Sequence, residues 1–110
     1  SNGIITNEKT LEENPELAEK FARAFLKGLE DALADPDATF DICKKYVDGL
    51  DENEDAQRAV LEASLEFWRG DPLGAYDLAA WQTTADVMLG AGLLSSDIDV
   101  EQVFTNDSLP

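Results

Sequence analysis

Two helix-start signals of the same kind constrain the fold of this chain most. Asn14-Pro15-Glu16 and Asp35-Pro36-Asp37 each place a capping residue before a proline and an acid. Proline suits the first helical position, where no amide donor is needed, and the acid suits the positive end of the helix dipole. Apolar and polar residues do not alternate over a stretch long enough for a sheet, and only residues 3–6 have strand character. The pattern predicts an all-α chain.

Four main helices, a short C-terminal turn and an extended tail are expected. The first helix runs from Pro15 to about Asp35, and Gly28 within it indicates close packing against a neighbour. Thr10 and Glu13 have the spacing of a capping box and predict a short turn before it. The apolar stripe of the first helix consists of Leu17, Phe21, Ala24, Phe25, Gly28, Leu29, Ala32 and Leu33.

The other three helices are predicted from the same kind of punctuation. The second begins after Asp35 and ends near Asp48, with Phe40, Cys43, Tyr46 and Val47 toward a core. The third spans about residues 53–69, with a face of Ala56, Val60, Ala63 and Phe67 flanked by Leu61, Ser64 and Trp68. The fourth follows a cap at Asp77, with a stripe of Leu78, Trp81, Ala85, Met88 and Leu89. Asp99 then caps the short turn, and Phe104 and Leu109 anchor the tail.

The length of 110 residues suits one domain with a modest core. Residues 1–2 have the form of a scar left by an expression tag, so a single helical domain is expected over residues 3–110. The short chain has no stretch of about 18 apolar residues, and direct membrane insertion is therefore not expected.

The charge balance excludes some classes of partner. The chain has 24 acidic and 8 basic residues and a formal net charge of -16. This field repels phosphate backbones and anionic lipid surfaces, so nucleic-acid binding is disfavoured. Acids spread over solvated helix faces favour solubility instead.

Few residues are available for catalysis, and the chain is predicted not to be an enzyme. It has no histidine, and its single cysteine, Cys43, has no base partner and is expected to be a small buried hydrophobe. The acidic segment at residues 48–56 does not have the ligand spacing of an EF-hand. No cofactor or metal is expected, although a carboxylate-only cation site is not excluded by the residues themselves.

Trp68, Tyr76 and Trp81 surround one turn-rich loop, and two interpretations of them are open. Tyr76 and Trp81 are weak candidates for stacking a flat ligand, as aromatic side chains often line small-molecule pockets. Packing at a helix corner is the favoured interpretation, because both tryptophans fit the apolar stripes of their helices.

Three segments together resemble the last third of periplasmic solute-binding proteins of the thiamine-precursor, riboflavin, nitrate and sulfonate group. The first contains Asn14, Pro15, Leu17, Phe21, Arg23, Ala24, Lys27, Gly28, Ala32, Pro36 and Ala38. The second is "LGAYDLAAWQTTADVMLGAGLL", and the third is the ending "DVEQVFTNDSLP". Their order and spacing favour the thiamine-pyrimidine and riboflavin branch.

The resemblance implies a fragment of a two-lobe α/β fold, the type II periplasmic binding protein. It implies a parent that binds a small heteroaromatic vitamin or precursor and delivers it to the permease of an ABC importer. The parent would then be periplasmic, or extracellular and membrane-associated. No ligand-binding residue is carried over, because the ligand contacts of the family lie mainly outside this segment.

A fragment of this kind would expose apolar faces, so a homo-oligomer is expected, with Phe21, Phe25, Phe67 or Trp81 at the contact. One alternative is a stand-alone acidic helical domain for self-association or protein interaction. A more distant alternative is an enzyme of thiamine-pyrimidine synthesis, which the absence of histidine disfavours.

Overall fold

The computed structural model describes residues 3–109, which form five α-helices and one 3-10 turn. The helices are α1 (Glu8–Glu13), α2 (Pro15–Ala34), α3 (Pro36–Cys43), α4 (Glu54–Trp68) and α5 (Leu78–Gly90), and the 3-10 turn is Val100–Gln102. No strand occurs in this described part, so the all-α prediction is confirmed for it. Residues 3–6, which alone had strand character in the sequence, are irregular and solvent-exposed.

Short-range hydrogen bonds set the starts of the helices. Asn7 caps α1 by accepting a hydrogen bond from the Thr10 amide at 2.8 Å, so the predicted capping box at Thr10 and Glu13 is wrong. Asn14 precedes α2 as predicted, although its side chain makes no capping bond, and Pro15 occupies the first turn. Asp35 caps α3 by accepting from the Ala38 amide at 3.0 Å.

Helix α3 ends at Cys43, well before the predicted end near Asp48. The amides of Lys45 and Tyr46 bond to carbonyls three residues back, which tightens the chain into turns. As a result Tyr46 is 82% exposed and Val47 51% exposed, and neither reaches the core for which it was predicted.

The chain divides into two compact units, Ser1–Gly74 and Ala75–Pro110. A single domain over residues 3–110 stays a prediction, and the predicted scar at residues 1–2 lies outside the described residues. In the second unit, α5 packs against the 3-10 turn, with Ala85 and Val100 buried. Asp77 and Asp99 cap these two elements as predicted, by accepting from the amides three and two residues onward.

The core of the first unit is small. Its buried apolar residues are Leu26, Phe40 and Leu65, one each from α2, α3 and α4. Phe40 was predicted to face this core and is buried, whereas Leu26 and Leu65 lie outside the stripes predicted for α2 and α4. The predicted stripe of α2 turns much of its apolar surface outward, since Leu17, Phe21 and Phe25 are 51–56% exposed. The predicted close packing at Gly28 is also wrong, because an added Cβ there would meet no neighbouring element within 4 Å.

Helix α4 packs through the predicted flank of Leu61, Ser64 and Trp68 and through Leu65 beyond it, while the centre of the predicted face stays open. Leu65 is buried and Leu61 and Trp68 are half-buried, whereas Val60 is 60% exposed and Phe67 83% exposed. Both α2 and α4 therefore carry apolar residues on a packed face and on an open one. The open apolar faces of these two helices are the surfaces of the first unit that most clearly lack a packing partner.

Candidate functional site

An open apolar groove on α2 is the feature of the first unit that most resembles a binding site. Its volume is about 340 Å³, near the lower end of the range for ligand pockets. The lining residues are Ala24, Phe25, Gly28, Leu29, Ala32 and Trp68. The small residues lie one helical turn apart on α2 and leave the space that Phe25 and Trp68 border. None of the lining side chains is charged, so the groove suits an apolar group better than a polar solute.

An aromatic cluster in the second unit contains both predicted ligand-stacking candidates. Tyr76 and Trp81 form an edge-to-face pair with ring centroids 5.7 Å apart. Phe104 stacks on Trp81 at 5.7 Å with an interplanar angle of 14°, and it meets Tyr76 edge-on at 5.5 Å. A flat ligand between two rings would need a separation of about 7 Å, twice the usual carbon contact distance. No flat ligand therefore fits between Trp81 and Phe104, and the contact supports packing for one face of Trp81.

Asn106 holds this aromatic cluster together through the backbone of Tyr76. Its Oδ1 accepts a hydrogen bond from the Tyr76 amide at 2.9 Å, and its Nδ2 donates to the Tyr76 carbonyl at 3.0 Å. One side chain thereby ties the loop before α5 to the C-terminal tail. No sequence pattern pointed to Asn106, although it falls inside the C-terminal segment "DVEQVFTNDSLP" that resembles solute-binding proteins.

A cluster of ion pairs joins α3 to α4 around the buried ring of Phe40. The Arg58 guanidinium contacts Asp37 at 2.7 Å and Glu54 at 2.8 Å, and its carbon lies 4.3 Å from the Phe40 centroid. Lys44 lies 3.4 Å from Glu54 and 5.5 Å from the same centroid. The two cations cover the ring and, in turn, are neutralised by the surrounding acids.

Four groups at this corner have pKa shifts that favour their charged forms: Asp41, Lys44, Glu54 and Arg58. Hydrogen bonding to Arg58, and more weakly to Lys44, lowers the pKa of Glu54, and hydrogen bonding to Lys44 lowers the pKa of Asp41. The same bonds raise the pKa of Lys44 and of Arg58. A general acid or base needs a pKa near the working pH, and these shifts move away from neutrality. The cluster is therefore suited to fixing the α3–α4 corner.

Within residues 3–109 no three His, Cys, Asp or Glu side chains are grouped so that they could hold a metal ion. None of the described helices is both long and apolar enough to cross a membrane.

Comparison with known proteins gives two matches. Residues 1–39 match the family model described as NMT1/THI5 like. The whole chain aligns with the riboflavin-binding protein RibY of Chloroflexus aurantiacus at 40% identity over 116 residues. The resemblance to solute-binding proteins is confirmed.

The extent of this match limits what it says about activity. The alignment covers 100% of this chain but 33% of RibY, so the chain spans about a third of the length of that solute-binding relative. No solved structure matches the chain. By its name, that relative is a binding protein.

Proposed function

We propose that this chain is the C-terminal helical part of an extracytoplasmic solute-binding protein that serves an ABC importer. The observation that carries the proposal is 40% identity to a riboflavin-binding protein along the whole chain. The open apolar faces of α2 and α4 also support it, because such faces are usually covered in a larger protein. The parent would adopt the two-lobe α/β fold and deliver its solute to a permease, with no catalysis of its own.

The solute class follows from the name of the relative. A flat heteroaromatic vitamin or precursor, riboflavin first and a thiamine pyrimidine second, is the proposed ligand of the parent. The groove on α2 lacks the polar groups that orient a riboflavin ring or its ribityl chain, and Phe104 stacks on one face of Trp81. The principal ligand contacts are therefore proposed to lie in parts of the parent outside this chain.

Riboflavin titration tests this function directly. The complete polypeptide encoded by the reading frame that contains these residues would be titrated with riboflavin, and flavin fluorescence would be recorded. We expect saturable quenching with one site per polypeptide, and no quenching by the 110-residue chain alone. A thiamine pyrimidine is assayed in parallel by calorimetry. A complete polypeptide that binds neither compound would overturn the proposed function.

Self-association of the isolated chain is a second proposal, carried by the exposed aromatic residues. Phe21 is 56% exposed, Phe25 51% and Phe67 83%, whereas Trp81 is partly covered by its own aromatic cluster. The net charge of -16 opposes association, so we expect dimers to increase as salt screens the repulsion. A monomer in light scattering at high protein concentration and 0.5 M salt would contradict this. A stand-alone acidic interaction domain is supported instead if the reading frame begins near Gly3 and the dimer is stable at low salt.

A further inference from the structure

The outward side of α4 carries an apolar stripe that nothing in the first unit covers. We define this outer stripe as Ala56, Val60, Ala63 and Phe67, whose spacing of four, three and four residues places them on one side of the helix. All four are exposed, with Phe67 at 83% and Val60 at 60%. No charged residue interrupts the stripe. It is therefore a continuous apolar surface about three helical turns long.

The opposite side of α4 is already used for packing. Leu65 is 2% exposed there, Leu61 and Trp68 are half-buried, and Arg58 makes its ion pairs to α3. The helix thus has apolar residues on two opposite sides, with Asp55, Glu62 and Glu66 on one flank and Glu54 on the packed side beside Arg58. A single helix layer needs one apolar side, whereas two apolar sides are typical of a helix between two layers. The outer stripe therefore indicates a second layer.

Two occupants could form that layer: a second copy of this chain or further residues of the same polypeptide. A second copy brings another net charge of -16, and the uncharged stripe offers no ion pair to offset that repulsion. The solute-binding relative, by contrast, has about three times the aligned length, so two thirds of a polypeptide of that size lie outside this chain. Length and charge therefore both favour further residues of the same polypeptide, and not a second copy, as the occupant.

We infer that the outer stripe of α4 is an internal packing surface, covered by apolar residues of the remaining two thirds of a longer polypeptide. The inference rests on the proposed function in requiring a parent of the relative's length. It goes further by assigning α4 to a middle layer. One side of α4 packs on α3, and the other side packs on the remaining two thirds of the polypeptide. Phe67, near the C-terminal end of α4, is the largest side chain of the stripe and the one whose replacement tests the inference best.

The test is the substitution Phe67→Glu, made both in the complete polypeptide and in the 110-residue chain. In the complete polypeptide we expect Tm to fall by about 5 °C or more, because a charge enters an apolar contact. In the 110-residue chain, kept monomeric at low protein and salt concentration, we expect Tm to stay within about 2 °C, because Phe67 faces water in the monomer. Phe67→Leu should retain most of the Tm of the complete polypeptide. Glu62→Gln, on the flank of the same helix, is the matched control and should change neither protein.

The outcomes separate this inference from the proposed function. Riboflavin binding by the complete polypeptide together with a silent Phe67→Glu would overturn the packing surface alone. A large loss of Tm without binding of either vitamin compound would overturn the function and support the surface. Phe67→Glu that only dissolves a dimer of the 110-residue chain identifies a second copy as the occupant, and the inference then fails. A reading frame that encodes no further layer also overturns it.

Discussion

Replacing Phe40 with alanine tests the account of the first unit most severely. Phe40 is 2% exposed and is the largest fully buried side chain among the described residues. It lies under the Arg58 guanidinium at 4.3 Å and the Lys44 ammonium at 5.5 Å. The substitution removes a buried ring and leaves both cations over a cavity. Because Phe40 is buried to this extent, Phe40→Ala should lower the free energy of unfolding by about 3–5 kcal/mol.

The small size of the unit makes that loss a large fraction of its stability. The unit ends at Gly74, and folded proteins gain about 0.05–0.15 kcal/mol per residue. A unit of this length therefore has a free energy of unfolding of about 4–11 kcal/mol. Phe40→Ala is expected to leave the unit marginally folded at 25 °C, with a lower helix content before any denaturant is added.

The assay is urea denaturation of the 110-residue chain, followed by circular dichroism at 222 nm. Phe40→Leu keeps an apolar side chain at this buried position and should lose less stability than Phe40→Ala. Tyr46→Ala, at a position that is 82% exposed, is the matched aromatic control and should stay within about 0.5 kcal/mol of the parent chain. The reasoning is refuted if Phe40→Ala unfolds at the same urea concentration as Tyr46→Ala.

Two further predictions concern hydrogen bonds and pH. Asn106→Ala removes both bonds to the Tyr76 backbone and should cost the second unit about 1–2 kcal/mol, measured by thermal melting of the near-ultraviolet signal of Trp81. Asn106→Asp keeps an acceptor for the Tyr76 amide and should lose less stability. Equal melting temperatures of the parent chain and both variants would contradict the role assigned to Asn106. Glu54 has a lowered pKa, so its stabilising effect is present above its ordinary value near pH 4.3 and is lost as pH falls through the folded-state pKa. The difference in urea midpoint between the parent chain and Glu54→Gln should therefore shrink between pH 6 and pH 3, and a constant difference would count against the ion-pair assignment.

Helix starts could be predicted from the sequence because their causes are local. Asp35, Asp77 and Asp99 each accept a hydrogen bond from an amide two or three residues onward. Such bonds depend only on the residue type and the next turn of backbone. The same locality explains why the all-α class was correct for residues 3–109, since no alternating segment competes with helical periodicity.

The covered sides of α3 and α5 were predicted through Phe40 and Ala85, but those of α2 and α4 could not be, because they depend on distant residues. Apolar residues of α4 occur on both sides, so periodicity alone did not distinguish Leu65 from Phe67. The contacts of Tyr76 with Phe104 and Asn106 join positions about 30 residues apart, for which local sequence carries no signal. Tyr76 and Trp81 were therefore interpreted without Phe104, whose ring stacks on Trp81.

Hydroxyl-radical footprinting of Phe25 and Phe67 tests the central claim most directly. The claim is that these helices present apolar faces that a longer solute-binding polypeptide covers. Both side chains are more than half exposed in this chain, so they should be oxidised readily in the 110-residue protein. The account predicts at least about tenfold slower oxidation of Phe67 in the complete polypeptide, in line with burial in a packed interior. Equal oxidation rates in the two proteins would contradict it.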